Sequence, residues 1–134
     1  MTLETKKSIF VALGKFLGQF TANNTSKNDA VLHNDTFFDS FHDLIHLSQS
    51  HNSWYTPENV YFAIHSWSQA LTPENLDQWL KSYEIEQQQP KTIALILAGN
   101  IPLVGFHDFL SVLICGHNVV VKTSSNDQHL LPFL

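Results

Sequence analysis

Side chains that could do chemistry concentrate in two short segments near the end of the chain, each directly after an apolar run. The first segment, Ala98 to Pro102, contains Gly99, which permits close backbone approach, and Asn100, whose amide can donate a hydrogen bond. The second segment, Lys122 to Ser125, offers one ammonium and three hydroxyls. At the N-terminus of a helix, such a set suits the ribose or phosphate of a nucleotide.

Neither segment matches a general nucleotide-binding motif. The pattern GxGxxG is missing from both, and so is the phosphate-binding loop with its Gly-Lys-Ser/Thr ending. Two interpretations therefore stay open. The segments are either ligand-binding loops or ordinary turns between strand and helix, in which case Lys122 is merely solvated.

The single cysteine, Cys115, is a poor candidate for a nucleophile. It lies near the C-terminal end of a predicted apolar helix, where the helix dipole disfavours a thiolate. We expect it to be a buried structural thiol. One cysteine also excludes an intramolecular disulfide and suits a reducing compartment, so we expect a cytoplasmic protein.

A rival site is the histidine pair His42 and His46. Two histidines at positions i and i+4 share a helix face, as zinc ligands do, and Asp43 stands where metalloproteases carry Glu. Aspartate is shorter than the glutamate that this chemistry needs, and the sequence specifies no third ligand. The apolar neighbours fit an ordinary amphipathic helix, so we expect no metal site.

The elements that precede the two polar segments are predicted to be mainly helical. Apolar residues recur at helical spacing from Ile9 to Phe20 and again from Phe37 to Leu47, with a polar loop between them. The tetrapeptide Thr-Pro-Glu-Asn then occurs twice, beginning at Thr56 and at Thr72. Each copy places a threonine N-cap before proline and an acid in the first turn, which predicts two further helices.

The pattern changes after residue 90. A continuous apolar run predicts a strand near 92–98 that is buried on both faces. Helical spacing predicts a helix near 103–115, which Gly116 ends. A second apolar run predicts a strand near 118–122, and several polar residues in 123–127 are possible N-caps for another helix.

This order of elements predicts an α/β fold. Strands joined through a helix normally pair in parallel with a right-handed crossover, as at the start of a doubly wound, Rossmann-like domain. We therefore expect a helical region over residues 1–90 and the start of an α/β domain over residues 91–134. Because two parallel strands alone cannot make a stable buried sheet, we expect that this domain is incomplete and the chain truncated.

Composition limits the classes of function. The chain has 134 residues, 43% hydrophobic and 14% charged, which is typical of at most one globular domain. A net charge of −5 with only seven Lys and Arg residues argues against nucleic-acid binding. No apolar run approaches the ~18–20 residues of a membrane span.

Together, these residues resemble a known family. The turn Gly99-Asn100 and the run from Gly116 to Ser125 are similar to the start of the cofactor domain of aldehyde dehydrogenases. They look most like the long-chain fatty acyl-CoA reductases known from bacterial bioluminescence. The resemblance covers residues 91–134 closely and residues 52–83 more loosely.

The resemblance implies roles for single residues. Asn100 matches the family's side-chain donor to the oxyanion of the thioester or thiohemiacetal. Gly99, Lys122 and Ser124 match cofactor-binding positions, with Lys122 gripping the ribose hydroxyls. Ser125 stands where relatives that prefer NAD carry Glu, which implies NADPH, or else NADH, as the cofactor.

The resemblance also implies an activity for the intact protein. It would reduce a fatty acyl group, delivered by coenzyme A or an acyl carrier, to an aldehyde with NAD(P)H through a cysteine thioester. That cysteine would lie downstream, so we expect the present chain to be inactive alone, and the enzyme to be a homo-oligomer. The alternative is a non-catalytic nucleotide-binding or protein-interaction module.

Overall fold

The computed structural model describes residues 1–86 and 88–134, and in this part of the chain six helices accompany one two-stranded sheet. The elements in chain order are α1 (Leu3–Leu17), α2 (Asn34–His51), α3 (Pro57–Ala70), α4 (Pro73–Leu80), β1 (Thr92–Ile96), α5 (Phe106–Ile114), β2 (Asn118–Lys122) and α6 (Leu130–Phe133).

The two strands pair in parallel, as the sequence predicts. Their register runs from Thr92 opposite Asn118 to Ile96 opposite Lys122, and α5 forms the connection between them. The first strand is shorter than the predicted span of 92–98, although the Leu97 amide still donates to the Lys122 carbonyl over 3.0 Å. Both strands consequently end at the same edge of the sheet.

The helix between the strands begins later than predicted, at Phe106 instead of residue 103. Residues 101–105 form consecutive turns, in which Leu103 adopts a left-handed conformation with φ of 58°. Gly105 packs so closely on the end of β1 that an added Cβ would lie 2.5 Å from the Leu97 Cδ1 atom. The segment after β1 is therefore a compact turn that a regular helix cannot replace.

Only one face of the sheet is covered by the described residues. The two strands alternate between exposed and partly buried positions along their lengths. Ile96 is 88% exposed and Val120 is 59% exposed on the open face. The prediction of burial on both faces is wrong for this part of the chain, because α5 packs against the strands from one side and the open face stays exposed.

Two of the helices before the sheet, α3 and α4, start where the sequence places their caps. The Thr56 hydroxyl accepts from the Asn59 amide over 3.2 Å, and the Thr72 hydroxyl accepts from the Asn75 amide over 3.3 Å. The last helix, α6, differs from the prediction. Its N-cap is His129, which makes no capping hydrogen bond through its side chain, so none of residues 123–127 caps it.

One hydrophobic core joins the helices to the sheet. Phe41 of α2 packs on Phe16 of α1 at a ring separation of 5.6 Å and on Phe133 of α6 at 5.2 Å. The core also includes Leu97 and Leu110 from the βαβ unit. The helical region thus packs directly on the α/β part. The domain boundary predicted at residue 90 rests on a change of sequence pattern and stays a prediction.

None of the helices in residues 1–86 and 88–134 combines the length and apolar character that a bilayer crossing requires.

Candidate functional site

The carboxyl edge of the sheet brings the two polar segments together. Because β1 and β2 are parallel and in register, the loops that follow them leave the sheet side by side. We name these the first loop (97–105) and the second loop (123–129). A Cβ added to Gly99 would lie 2.6 Å from the Ser124 Cβ, so glycine at this position lets the two loops touch.

The second loop holds Ser124 in a fixed orientation. Its Oγ accepts a hydrogen bond from the Asn126 amide over 3.2 Å, and its carbonyl accepts from the Asp127 amide over 3.1 Å. This local turn keeps the hydroxyl oxygen beside Gly99. The hydroxyl hydrogen remains available to donate, because the backbone uses the oxygen only as an acceptor.

Three polar residues around the two loops face solvent. Asn100 of the first loop and Ser125 of the second are exposed, as is Lys122 at the end of β2, whose ammonium donates to the Thr123 carbonyl over 2.7 Å. An ammonium has three donors, so two stay free for another acceptor. The edge therefore presents an amide, an ammonium and hydroxyls within one short stretch of surface. This donor set fits an anionic, hydroxyl-rich ligand such as a dinucleotide.

Asn52, the residue that follows α2, connects the helical region to the loops at this edge by hydrogen bonds. Its side-chain amide donates to the Gly99 carbonyl over 3.4 Å and to the Asn126 carbonyl over 3.2 Å. One side chain thus links the first loop to the second. Nearby, the Tyr55 hydroxyl donates to the Ile101 carbonyl over 3.4 Å.

Tyr55 and Asp127 form a buried pair beneath the loops. Tyr55 is 1% exposed and Asp127 is 5% exposed. Burial of the phenol raises the pKa of Tyr55 above its ordinary value, and the negative charge of the adjacent Asp127 carboxylate raises this pKa further. The Asp127 Oδ1 atom has no hydrogen-bond partner among the described residues.

Sequence reasoning placed Gly99, Asn100, Lys122 and Ser124 at this edge but missed Asn52 and Tyr55. The contacts of these two residues span 46 to 74 positions along the chain, and no local spacing indicates them. The only signal is a polar residue and an aromatic one between two predicted helices. Asp127 was considered only as one of several possible helix caps.

Cys115 lies away from this edge. It caps the C-terminal end of α5, just before β2 starts, and is therefore at the amino edge of the sheet. A strand of five residues separates the two edges by about 13 Å, at ~3.3 Å per residue. The thiol is partly buried, not fully buried as expected, and lines a cavity of about 860 Å³ with Lys6 and His117. Its role as a structural thiol stays a prediction.

The histidine pair on α2 has the spacing of two metal ligands on one helix face. The Nε2 atoms of His42 and His46 are 3.4 Å apart, with the rings edge to face. In residues 1–86 and 88–134, no group of three or more His, Cys, Asp or Glu side chains could hold a metal ion.

Comparison with known proteins identifies one family. The model of the acyl-CoA reductase (LuxC) family matches residues 22–134, which is most of the chain. The match includes α2 to α6, both strands and both loops at the carboxyl edge. No curated protein and no solved structure matches the chain.

Proposed function

The chain belongs to the acyl-CoA reductase (LuxC) family, and from this premise we propose that its two loops hold the nicotinamide cofactor with which a fatty acyl group is reduced to an aldehyde. One observation carries the proposal. The parallel register brings Asn100, Lys122 and Ser125 to the same exposed edge of the sheet, where α/β proteins bind their ligands.

The end of β2 and the second loop supply the donors for the cofactor. Lys122 uses one ammonium donor among the described residues and would offer the other two to the ribose hydroxyls, and the Ser124 hydroxyl is oriented by its own loop. Gly99 keeps the first loop against Ser124, so that donors from both loops converge. When bound, the cofactor supplies the hydride that the reduction needs.

Ser125 selects the cofactor in this proposal. It is exposed at the edge, and its hydroxyl can donate to a phosphate. A carboxylate at the same position would repel the 2′-phosphate that distinguishes NADPH from NADH. We therefore propose NADPH as the preferred cofactor, with NADH as the weaker alternative.

Asn100 is the proposed catalytic residue. Its exposed amide at the end of the first loop can donate to the acyl oxygen as negative charge develops there. A donor of this kind typically contributes about 10²–10³ to the rate. It would act on an acyl group that coenzyme A or an acyl carrier delivers.

The reacting thiol is proposed to come from polypeptide outside residues 1–134. Cys115 is the only cysteine of the chain and lies at the opposite edge of the sheet from Asn100. Residues 1–134 alone would then bind cofactor without reducing an acyl group. A cytoplasmic location and a homo-oligomer complete the proposal.

The rival proposal is a module without chemistry that binds a nucleotide or another protein. The open face of the sheet favours the protein-binding form, because Ile96 and Val120 are exposed there, and apolar side chains of this kind gain from contact with another surface. Cofactor binding at the carboxyl edge would exclude a pure protein-interaction module, and acyl reduction by the intact protein would exclude both forms.

Replacement of Ser125 tests the proposed function. We expect Ser125→Glu to weaken NADPH binding about tenfold, equivalent to ~1.4 kcal/mol, through repulsion of the 2′-phosphate, and to leave NADH binding nearly unchanged. Isothermal titration calorimetry with each cofactor gives the ratio of dissociation constants. Ser66→Glu, at an exposed position on α3, adds the same charge elsewhere as a control. Equal ratios in the two variants would contradict the assignment of Ser125.

A further inference from the structure

The junction between α2 and α3 contacts both loops of the carboxyl edge. Asn52 uses both protons of its side-chain amide, one on the Gly99 carbonyl of the first loop and one on the Asn126 carbonyl of the second. These two carbonyls flank the contact between Gly99 and Ser124. The amide therefore hydrogen-bonds both loops close to the contact between Gly99 and Ser124.

Tyr55 contacts the same two loops from beneath. Its hydroxyl donates to the Ile101 carbonyl of the first loop, and the Asp127 carboxylate of the second loop lies beside the phenol. The ring is buried, so its position is determined by packing on the core. Asn52 thus hydrogen-bonds both loops, whereas Tyr55 hydrogen-bonds the first loop and lies beside the Asp127 carboxylate of the second.

The first loop contains a conformation that needs such support. Leu103 is a branched residue with φ of 58°, two positions after the carbonyl that Tyr55 holds. Left-handed backbone at a bulky residue is unfavourable and persists only where its surroundings fix it. The Ile101 carbonyl also accepts from the Val104 amide over 3.2 Å, so the phenol binds the turn that contains Leu103.

Asp127 shows that the arrangement is not optimised for stability alone. A buried carboxylate oxygen without a hydrogen-bond partner is costly, and the Asp127 Oδ1 atom has none among the described residues. Burial of the phenol, together with the Asp127 charge, raises the pKa of Tyr55. The phenol therefore stays a donor to the first loop above pH 10, where an ordinary tyrosine ionises.

We propose that Asn52 and Tyr55 are positioning residues for the cofactor site. They hold the two loops at the separation at which donors from Asn100 and Lys122 reach one ligand. This inference rests on the proposed function, because it assigns the helical region a role in cofactor binding at that same edge. Neither residue needs to touch the cofactor.

Two variants and one matched control test the inference on the 134-residue chain. Tyr55→Phe keeps the buried ring and removes only the hydroxyl, while Asn52→Ala removes the amide that links the loops. Asn59→Ala is the control, since the side-chain amide of Asn59, on the first turn of α3, donates to the Trp54 carbonyl of the junction over 3.1 Å and makes no hydrogen bond to the described residues of either loop. Amide hydrogen exchange, NADPH affinity and the melting temperature are measured for each protein.

We expect exchange to accelerate in residues 97–103 and 124–128 of both variants, and NADPH affinity to fall about fivefold per lost hydrogen bond. Each variant loses at least one hydrogen bond and should melt at a slightly lower temperature. Asn59→Ala should nevertheless match the unaltered chain in loop exchange and in NADPH affinity. Faster loop exchange with unchanged NADPH affinity would overturn the positioning role, and so would unchanged exchange.

Failure of the proposed function gives a different result. If the unaltered chain shows no NADPH binding, the proposed function is wrong and the positioning role is overturned with it. If the unaltered chain binds NADPH and the variants bind it equally well, only the positioning role is wrong.

Discussion

The contact between Gly99 and Ser124 makes a small side chain at both positions a structural requirement. We expect Gly99→Ala to destabilise the chain by about 1–3 kcal/mol, because the new Cβ would lie 2.6 Å from the Ser124 Cβ and 2.7 Å from its Oγ. Urea unfolding measures this cost. Gly18→Ala is the matched control, since its added Cβ would meet nothing closer than 3.4 Å.

A second replacement decides whether this clash is the cause. Ser124→Gly removes the two atoms nearest the added methyl group, so Gly99→Ala should cost much less stability in the Ser124→Gly background than in the unaltered chain. An equal cost in both backgrounds would show that the two loops do not touch at this point.

Tyr55 makes the free energy of unfolding depend on pH in the alkaline range. Its pKa in the folded chain is raised above the ordinary value of 10.0, so the neutral phenol favours the folded state. This contribution is fully present below about pH 10 and is lost as the pH rises from there towards the raised pKa, at up to ~1.4 kcal/mol per pH unit. Tyr55→Phe should therefore lose stability less steeply above pH 10. Urea unfolding at several alkaline pH values measures both slopes, and equal slopes would contradict the burial of a neutral phenol.

Single residues also show how far the sequence alone could define the site. Gly99, Asn100, Lys122 and Ser124 could be placed together because each follows an apolar run, and parallel strands bring such positions to one edge. Asn52 and Tyr55 could not be placed there, because their partners lie at least 46 residues away. Contacts of that range depend on how the helical region packs, which no local pattern encodes.

Among the elements, the helices that begin with Thr-Pro-Glu-Asn are the most predictable part of the fold. We expect Thr56→Ala to cost about 1 kcal/mol, because it leaves the Asn59 amide without its cap. Thr56→Ser keeps the hydroxyl and should cost much less. Thermal unfolding monitored by circular dichroism compares the two, and equal losses would show that the cap hydrogen bond contributes nothing.

The types and order of β1, α5 and β2 could be predicted from the sequence, but the residues at which β1 ends and α5 begins could not. Apolar runs and the break at Gly116 define strand, helix and strand, and φ of 86° at Gly116 explains why glycine ends α5. The late start of α5 depends on the left-handed turn at Leu103, which a leucine does not signal. Continuous apolar runs also could not show that one face of the sheet is open, because burial depends on neighbouring elements.

Across the whole molecule, the helices and the βαβ unit act as one support for the carboxyl edge. The shared core fixes α2 against α6 through Phe41 and Phe133, and thereby fixes the junction that follows α2 relative to both loops. The Lys6 ammonium links α1 to the end of α5, because it donates a hydrogen bond to the Ile114 carbonyl over 2.7 Å. The proposed site thus depends on residues from both regions of the chain.

The most direct test of a cofactor site at this edge is an NMR titration of the isotope-labelled chain with NADPH. We expect backbone amide shifts to change mainly in residues 97–105 and 122–128, and we expect Lys122→Ala to weaken binding about tenfold by removing a charged donor. Lys91→Ala, an exposed lysine just before β1 at the opposite edge, is the control and should bind like the unaltered chain. No change in either loop at millimolar NADPH, or equal affinities for the Lys122 and Lys91 variants, would contradict the account.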